Sequence, residues 1–129
     1  MLKDELSAIG IFEGLSDEKL TECADLFNES EVLMGEKLTK QDDFGYSLVL
    51  VLRGRVVVKV GDEVVNELGP GDHFGEVALV EHKKRTATVV AQETCRIAKL
   101  MTWDFEKLVA IDPVIKERLD AAAAARQKR

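Results

Sequence analysis

The sequence has few residues of the kinds that cross-link small proteins or interrupt regular structure. It contains two cysteines and two prolines among 129 residues. Cys23 and Cys95 are far apart and form no C-x-x-C pair, so we expect reduced thiols in a cytoplasmic protein rather than a disulfide framework. No apolar run approaches the ~18 residues that a membrane span requires. The N-terminus also lacks the basic and apolar regions of a secretory signal.

Positive charge is also scarce. The chain carries 18 Lys and Arg against 24 Asp and Glu, a formal net charge of −6. A dedicated nucleic-acid binder normally presents a basic surface, so we expect no direct binding to nucleic acid. A small anionic ligand is not excluded, because one local cation can dominate a pocket. The length and the 46% of hydrophobic residues suit a single domain, residues 1–129, that buries one core.

Both ends of the chain show helical patterns. In residues 1–28, apolar residues recur at helical spacing, and Ser16 is placed to cap the second of two helices. In residues 102–129, Thr102 is the expected cap of one helix. Asp112-Pro113 then predicts the start of another, with the aspartate as cap and the proline in the first turn.

The middle of the chain, residues 29–100, is rich in strand signals. Gly61-Asp62 separates two β-branched runs and predicts a two-residue hairpin turn with the glycine at positive φ. Val56-Val57-Val58 is apolar on both faces, which is typical of a small barrel or a double sheet. The predicted strands are Ser47–Arg53, Arg55–Val60, Glu63–Leu68, Thr86–Val90 and Thr94–Leu100. The expected fold class is mainly β with flanking helices: an antiparallel β-barrel or jelly roll with N-terminal helices and C-terminal hinge and lid helices.

One segment, residues 74–89, has the residue types of an anion site. Gly75 allows the backbone to approach a ligand closely, and the residues after it suit one helical turn whose free N–H groups face an anion. Arg85 presents a rigid fork for two phosphate oxygens. Glu76 is a carboxylate close to that site, so it needs hydroxyl donors to offset its charge. A sugar phosphate supplies both groups, which makes the segment a candidate phosphosugar site.

The motif around this segment reads Gly69-x-Gly71-Asp72-x-Phe74-Gly75-Glu76-x-Ala78-Leu79, followed by Arg85-Thr86-Ala87-Thr88-Val89-x-Ala91. It resembles the phosphate-binding cassette of the cyclic-nucleotide-binding domain family, which includes catabolite-activator-type regulators, kinase regulatory subunits and cyclic-nucleotide-gated channels. Ile11-Phe12-Glu13-Gly14-Leu15-Ser16 resembles the motif that leads into the family's barrel. The similarity covers nearly the whole chain and implies a stand-alone sensor domain.

The resemblance implies a role for each residue of the site. Arg85 would pair with the exocyclic phosphate oxygens, and Glu76 would accept the ribose 2′-hydroxyl. Backbone groups of Gly75, Ala78 and Ala87 would contact the ribose and phosphate, while valines on the strands would contact the base. The expected ligand-binding set is Gly75, Glu76, Val77, Ala78, Arg85, Thr86, Ala87, Val58 and Val65. It contains no catalytic or metal-binding residue, and no cofactor apart from the ligand, cAMP or cGMP.

The same resemblance implies a regulatory module and not an enzyme. Bound ligand would tighten the cassette and let the C-terminal helix fold over the base, with Leu119 or a neighbour as the cap. Thr86 places a hydroxyl where cGMP-selective members often meet the guanine amino group, but some cAMP-responsive members carry it too, so Thr86 does not decide the base. We expect a slight preference for cAMP over cGMP. The expected partners are the nucleotide and either an effector or a second copy of the chain, through the C-terminal helix that carries Ala121–Ala125.

Two other interpretations stay open on the sequence alone. His73, Glu76 and His82 weakly suggest a cupin-like metal-binding or enzymatic jelly roll, although two histidines without an H-x-H pair form a poor metal set. An interaction scaffold with a vestigial pocket would bind neither metal nor nucleotide.

Overall fold

Helices flank a β-rich centre in the computed structural model, which describes residues 2–39, 47–75 and 87–127. The helices are α1 (Leu2–Ser7), a 3-10 helix (Gly10–Phe12), α2 (Asp17–Ala24), a second 3-10 helix (Thr102–Asp104), α3 (Phe105–Ile111) and α4 (Pro113–Gln127). The strands are β1 (Asn28–Val32), β2 (Lys37–Thr39), β3 (Ser47–Arg53), β4 (Val56–Val60), β5 (Glu63–Leu68), β6 (His73–Phe74), β7 (Thr88–Ala91) and β8 (Cys95–Met101).

The strands form two four-stranded antiparallel sheets. Sheet A has the order β1-β8-β3-β6 and sheet B the order β2-β7-β4-β5. The predicted fold class, mainly β with antiparallel sheets and flanking helices, is confirmed, but the ladders between the described strands do not close into a barrel. Gly54, between β3 and β4, has a φ of 88° at the point where the chain leaves sheet A and enters sheet B.

β3 is apolar on both faces because both faces are covered. Leu48 and Leu50 face the helices, whereas Val49 and Val51 face sheet B. We call the first layer the helical core; it contains Leu6, Ile9, Ile11, Phe12, Leu20, Cys23, Phe27, Leu48, Leu50, Ala98, Leu100, Leu108, Ile115 and Leu119. We call the second layer the inter-sheet core; it contains Val32, Val49, Val51, Val56, Leu68, Phe74, Val89, Ala91, Cys95 and Ile97.

Two predicted helix caps are confirmed. The Ser16 hydroxyl accepts a hydrogen bond from the Lys19 N–H at 3.2 Å, at the start of α2. The Asp112 carboxylate accepts one from the Val114 N–H at 3.0 Å, and Pro113 is the first residue of α4. In both places the side chain satisfies a backbone N–H that has no partner inside the helix.

The predicted cap at Thr102 is wrong. β8 continues to Met101, so Thr102 already lies inside the second 3-10 helix and its side chain caps neither that helix nor α3. The Thr102 hydroxyl oxygen is instead buried, with no hydrogen-bond partner among the residues that the structure describes. Across the described ranges, no helix is long and apolar enough to span a membrane.

Candidate functional site

The two ends of the candidate phosphosugar segment belong to different sheets. Gly75 follows β6 at the edge of sheet A, and Ala87 immediately precedes β7 of sheet B. Gly75 has a φ of 96°, a conformation that a side chain disfavours. The predicted ligand residues between these two ends lie outside the described residues: Glu76, Val77, Ala78, Arg85 and Thr86. Their roles stay predictions.

Val58, a predicted base contact, lies on the inner face of sheet B. It is opposite Val89 of β7 and opposite Asn66 of β5. Directly opposite residues of antiparallel strands project from the same face. Val89 is 3% exposed within the inter-sheet core, and Val58 is half-buried against that core. Val58 therefore lies beside the point where the chain enters β7, since Val89 is two residues after Ala87.

Val65, the other predicted base contact, lies at an irregular point of β5. Val58 pairs with Asn66 and Lys59 pairs with Val64, so Val65 is the extra residue of a β-bulge. Its side chain is 48% exposed. The structure therefore brings Val58 together with Asn66 and leaves Val65 outside that row.

The bulge explains why the place of Asn66 on the inner face could not be predicted from the sequence. Val60 pairs with Glu63 across the turn, and the same register continued without a bulge would set Val65 opposite Val58. The bulge moves the register by one residue, which brings Asn66 to the inner face. β5 contains no glycine or proline that would signal a bulge.

The C-terminal helix α4 packs against the N-terminal helices. Its Leu119 is fully buried in the helical core. The Arg118 Nη1 group donates hydrogen bonds to three carbonyl oxygens around the first 3-10 helix, at 3.2 Å to Gly10, 3.3 Å to Ile11 and 2.7 Å to Glu13. α4 is thus held on the side of sheet A that faces away from sheet B.

An ion pair fixes the junction between α3 and α4. The Lys19 Nζ of α2 lies 3.0 Å from the Asp112 Oδ2. The Val114 N–H and the Lys19 ammonium hold the pKa of the Asp112 carboxyl below its ordinary value, because both favour the ionised form. The start of α4 therefore carries a fixed negative charge at neutral pH.

The metal-site interpretation gains no support where the chain is described. His73 lies on β6, whereas Glu76 and His82 fall outside the described ranges. Within those ranges, no group of three or more His, Cys, Asp or Glu residues is arranged to hold a metal ion.

Comparison with known proteins gives a consistent match. Residues 29–112 match the family described as cyclic nucleotide-binding domain. The chain is 30% identical over 122 residues to a cyclic nucleotide-gated potassium channel of Rhizobium etli, covering 95% of this chain and 34% of the channel. It is 32% identical over 110 residues to a cAMP-dependent protein kinase regulatory subunit of Debaryomyces hansenii, covering 84% of this chain and 24% of the subunit.

A solved structure extends the match to the fold. The regulatory domain of Toxoplasma gondii PKA, solved with cAMP, superposes with a TM-score of 0.83 at 25% identity, covering 96% of this chain and 49% of that one. The chain thus spans 24% to 49% of the length of each of these three proteins.

Proposed function

The chain belongs to the cyclic nucleotide-binding domain family, and on that premise we propose that it binds a cyclic nucleotide as a regulatory, non-catalytic module of the cytoplasm. One observation carries the proposal. The segment with the phosphate-binding motif leaves sheet A at Gly75 and enters sheet B at Ala87, beside the half-buried Val58. A ligand bound by this segment therefore lies next to an apolar surface that suits a purine.

The proposed contacts divide the nucleotide into three parts. Arg85 pairs with the exocyclic phosphate oxygens, helped by backbone groups of Gly75, Ala78 and Ala87. Glu76 accepts the ribose 2′-hydroxyl, with Val77 and Thr86 alongside the sugar phosphate. Val58 packs against the base, and Val65 contacts it from the exposed side of the bulge. In this arrangement the Arg85 cation pairs with the anionic phosphate, and the Glu76 carboxylate accepts a hydrogen bond from a hydroxyl donor, so both charged side chains have complementary partners.

We propose cAMP as the ligand, with a slight preference over cGMP. Two of the similar proteins support this choice: the Debaryomyces subunit is named for cAMP dependence and the Toxoplasma domain was solved with cAMP. Thr86 does not decide the question, because a hydroxyl beside the phosphate is compatible with either base.

We also propose that binding repositions α4. Leu119, the predicted cap of the base, is fully buried in the helical core, so α4 has to leave this packing before Leu119 or a neighbour can cover the nucleotide. The free energy that couples binding to such a movement is typically ~1–3 kcal/mol. The receiver of the signal is either an effector or a second copy of the chain.

Calorimetry with the Arg85→Ala variant tests the binding site. Loss of the guanidinium leaves a phosphate unpaired, which costs on the order of 2–5 kcal/mol and weakens cAMP binding about 30- to 4000-fold. Arg53→Ala is the matched control, because Arg53 is exposed at the end of β3 and should leave the affinity unchanged. Equal cAMP affinity in wild type and Arg85→Ala would remove Arg85 from the site. A wild-type protein that binds neither cAMP nor cGMP would refute the function itself.

A further inference from the structure

The outer face of sheet B carries a row of four side chains that crosses the whole sheet. The row consists of Lys37 on β2, Val90 on β7, Val57 on β4 and Glu67 on β5, and each residue pairs with the next. Directly opposite residues of antiparallel strands project from the same face. The strand registers therefore place these four side chains side by side on one surface.

This surface is the one turned away from sheet A. Val56 and Val89, which precede the two valines of the row, are buried in the inter-sheet core. Successive residues of a strand point to opposite faces, so Val57 and Val90 point outward. The helical core takes its strand residues only from β3 and β8 of sheet A. Within the described ranges, the helices thus cover sheet A and leave the outer face of sheet B open.

The charges at the two ends of the row are opposite in sign and too far apart to meet within one molecule. Lys37 and Glu67 are both exposed, on the two edge strands of the sheet. Three strand spacings separate them, which is about 14 Å. Between them lie the half-buried Val57 and Val90. A surface with a cation at one edge, an apolar centre and an anion at the other edge is complementary to itself.

The charges select one way of packing two such faces together. Two sheets pack face to face about 10 Å apart, related by a two-fold axis that runs either across the strands or parallel to them. An axis across the strands sets Lys37 against Lys37 and Glu67 against Glu67, and such like-charge contacts oppose association. An axis parallel to the strands, between β7 and β4, sets Lys37 opposite the Glu67 of the second copy at both ends. It also sets Val57 opposite Val90 in the centre.

We propose that the outer face of sheet B is a docking surface for a second copy of this chain, with the strands of the two copies parallel. Two-fold symmetry is the commonest arrangement of protein oligomers. Four short strands present a face of roughly 300 Å², whereas standard interfaces bury about 800 Å² on each partner. The dimer is therefore weak and reversible. This inference does not depend on the proposed function, because it concerns the opposite side of sheet B from Val58.

Reversal of the charge at either end of the row tests the proposal. Lys37→Glu and Glu67→Lys each convert two attractive pairs of the dimer into two repulsive pairs. Sedimentation equilibrium at low salt, from about 10 µM to 1 mM protein, should show the dimer Kd raised about 5- to 100-fold in either variant. General charge repulsion predicts the reverse for Glu67→Lys, because this change reduces the net charge of −6 by two units and so favours association.

An equal mixture of the two variants gives the most specific readout. The Lys37→Glu chain presents glutamate at both ends of its row and the Glu67→Lys chain presents lysine at both ends. Each variant repels its own kind, but the two attract each other at both ends, so the mixture should dimerise about as strongly as wild type. The double variant Lys37→Glu/Glu67→Lys should also regain the wild-type Kd, because its row is again complementary to itself.

Glu63→Lys is the matched control on the same strand. It makes the same change of charge on β5, but Glu63 pairs with Val60, two residues after Val58, and so projects from the inner face. This variant should dimerise no more weakly than wild type. Circular dichroism of each variant establishes that it is folded.

Three results would each overturn the proposal. The first is wild-type protein that stays monomeric up to about 1 mM. The second is a dimer that responds to the two reversals no more than to Glu63→Lys, as expected of a dimer through α4. The third is a mixture that remains as dissociated as its two components. Calorimetry with cAMP on the same proteins tests the proposed function separately, so the failure of one proposal is distinguishable from the failure of the other.

Discussion

Arg118→Ala should loosen α4 from the N-terminal helices by an amount that the contacts allow us to estimate. One Nη1 group, with two hydrogens, serves carbonyl oxygens at 2.7, 3.2 and 3.3 Å. The short contact to Glu13 is a charged hydrogen bond, a type worth ~1.5–3 kcal/mol. The other two carbonyl oxygens share the second hydrogen of Nη1. Water can rehydrate the carbonyls of the exposed residues Gly10 and Glu13, so we expect a net loss of about 1–2 kcal/mol in the free energy of unfolding.

Thermal and urea unfolding followed by circular dichroism measure this loss. For a chain of this length, 1–2 kcal/mol corresponds to a fall in Tm of about 4–8 °C. Lys116→Ala on the same helix is the control, because it removes only an exposed i,i+4 ion pair with Asp120, which is worth ~0.3–0.5 kcal/mol. Arg118→Lys keeps the charge without the planar fork and should fall between the two. If Arg118→Ala is no less stable than Lys116→Ala, the three carbonyl contacts do not hold α4.

The same variant tests the proposed movement of α4. If cAMP binding breaks the Arg118 contacts, their removal costs the ligand-free arrangement only, so the affinity for cAMP should rise. The rise is bounded by the lost contact energy, which gives about 5- to 30-fold for 1–2 kcal/mol. An affinity equal to that of wild type, together with a lower stability, would show that α4 keeps these contacts when the nucleotide is bound.

Two further predictions concern the turn into sheet B and the start of α4. Gly54→Ala should lower the free energy of unfolding, measured with urea, by about 2–4 kcal/mol, because the new Cβ would lie 2.7 Å from the Cys95 Sγ. Gly35 has a similar φ of 89°, but its new Cβ would have no atom within 4 Å. Gly35→Ala is therefore the control and should lower the free energy of unfolding by about 1–2 kcal/mol. Equal losses in the two variants would contradict the steric argument. Asp112→Asn keeps a side-chain cap but loses the charge opposite Lys19. Since the pKa of Asp112 is lowered in the folded state, the variant should have a lower Tm at neutral pH, and the difference should vanish as the pH falls below the folded pKa; a pH-independent difference would contradict this.

The elements that sequence reasoning predicted well are those set by local chemistry. The hairpin at Gly61-Asp62 is confirmed, with Gly61 at a φ of 62°, because glycine is the residue that this turn requires. The helix start at Asp112-Pro113 is confirmed for a similar reason. In both cases two adjacent residues determine the backbone, so no knowledge of the tertiary structure is needed.

The elements that sequence reasoning missed depend on distant partners. β1 is polar at four of its five positions and shows no alternation, yet it forms a strand because β8 supplies its hydrogen bonds along its whole length. The bulge at Val65 is set by how β5 fits β4. A register that changes by one residue reverses which side chains face the core, and this is why the place of Asn66 opposite Val58 could not be predicted from the sequence.

β3 joins the proposed nucleotide site to the helices. Val49 pairs with Phe74, which directly precedes Gly75 at the start of the candidate phosphosugar segment. The neighbouring residues on the same strand, Leu48 and Leu50, pack in the helical core that also holds Leu119. A close-packed strand cannot shift one face without shifting the other, so a displacement of β6 by bound phosphate would reach the packing of α4 through a single strand. This continuity is a physical reason for expecting the signal to appear at α4 and not at the exposed hairpin of β4 and β5.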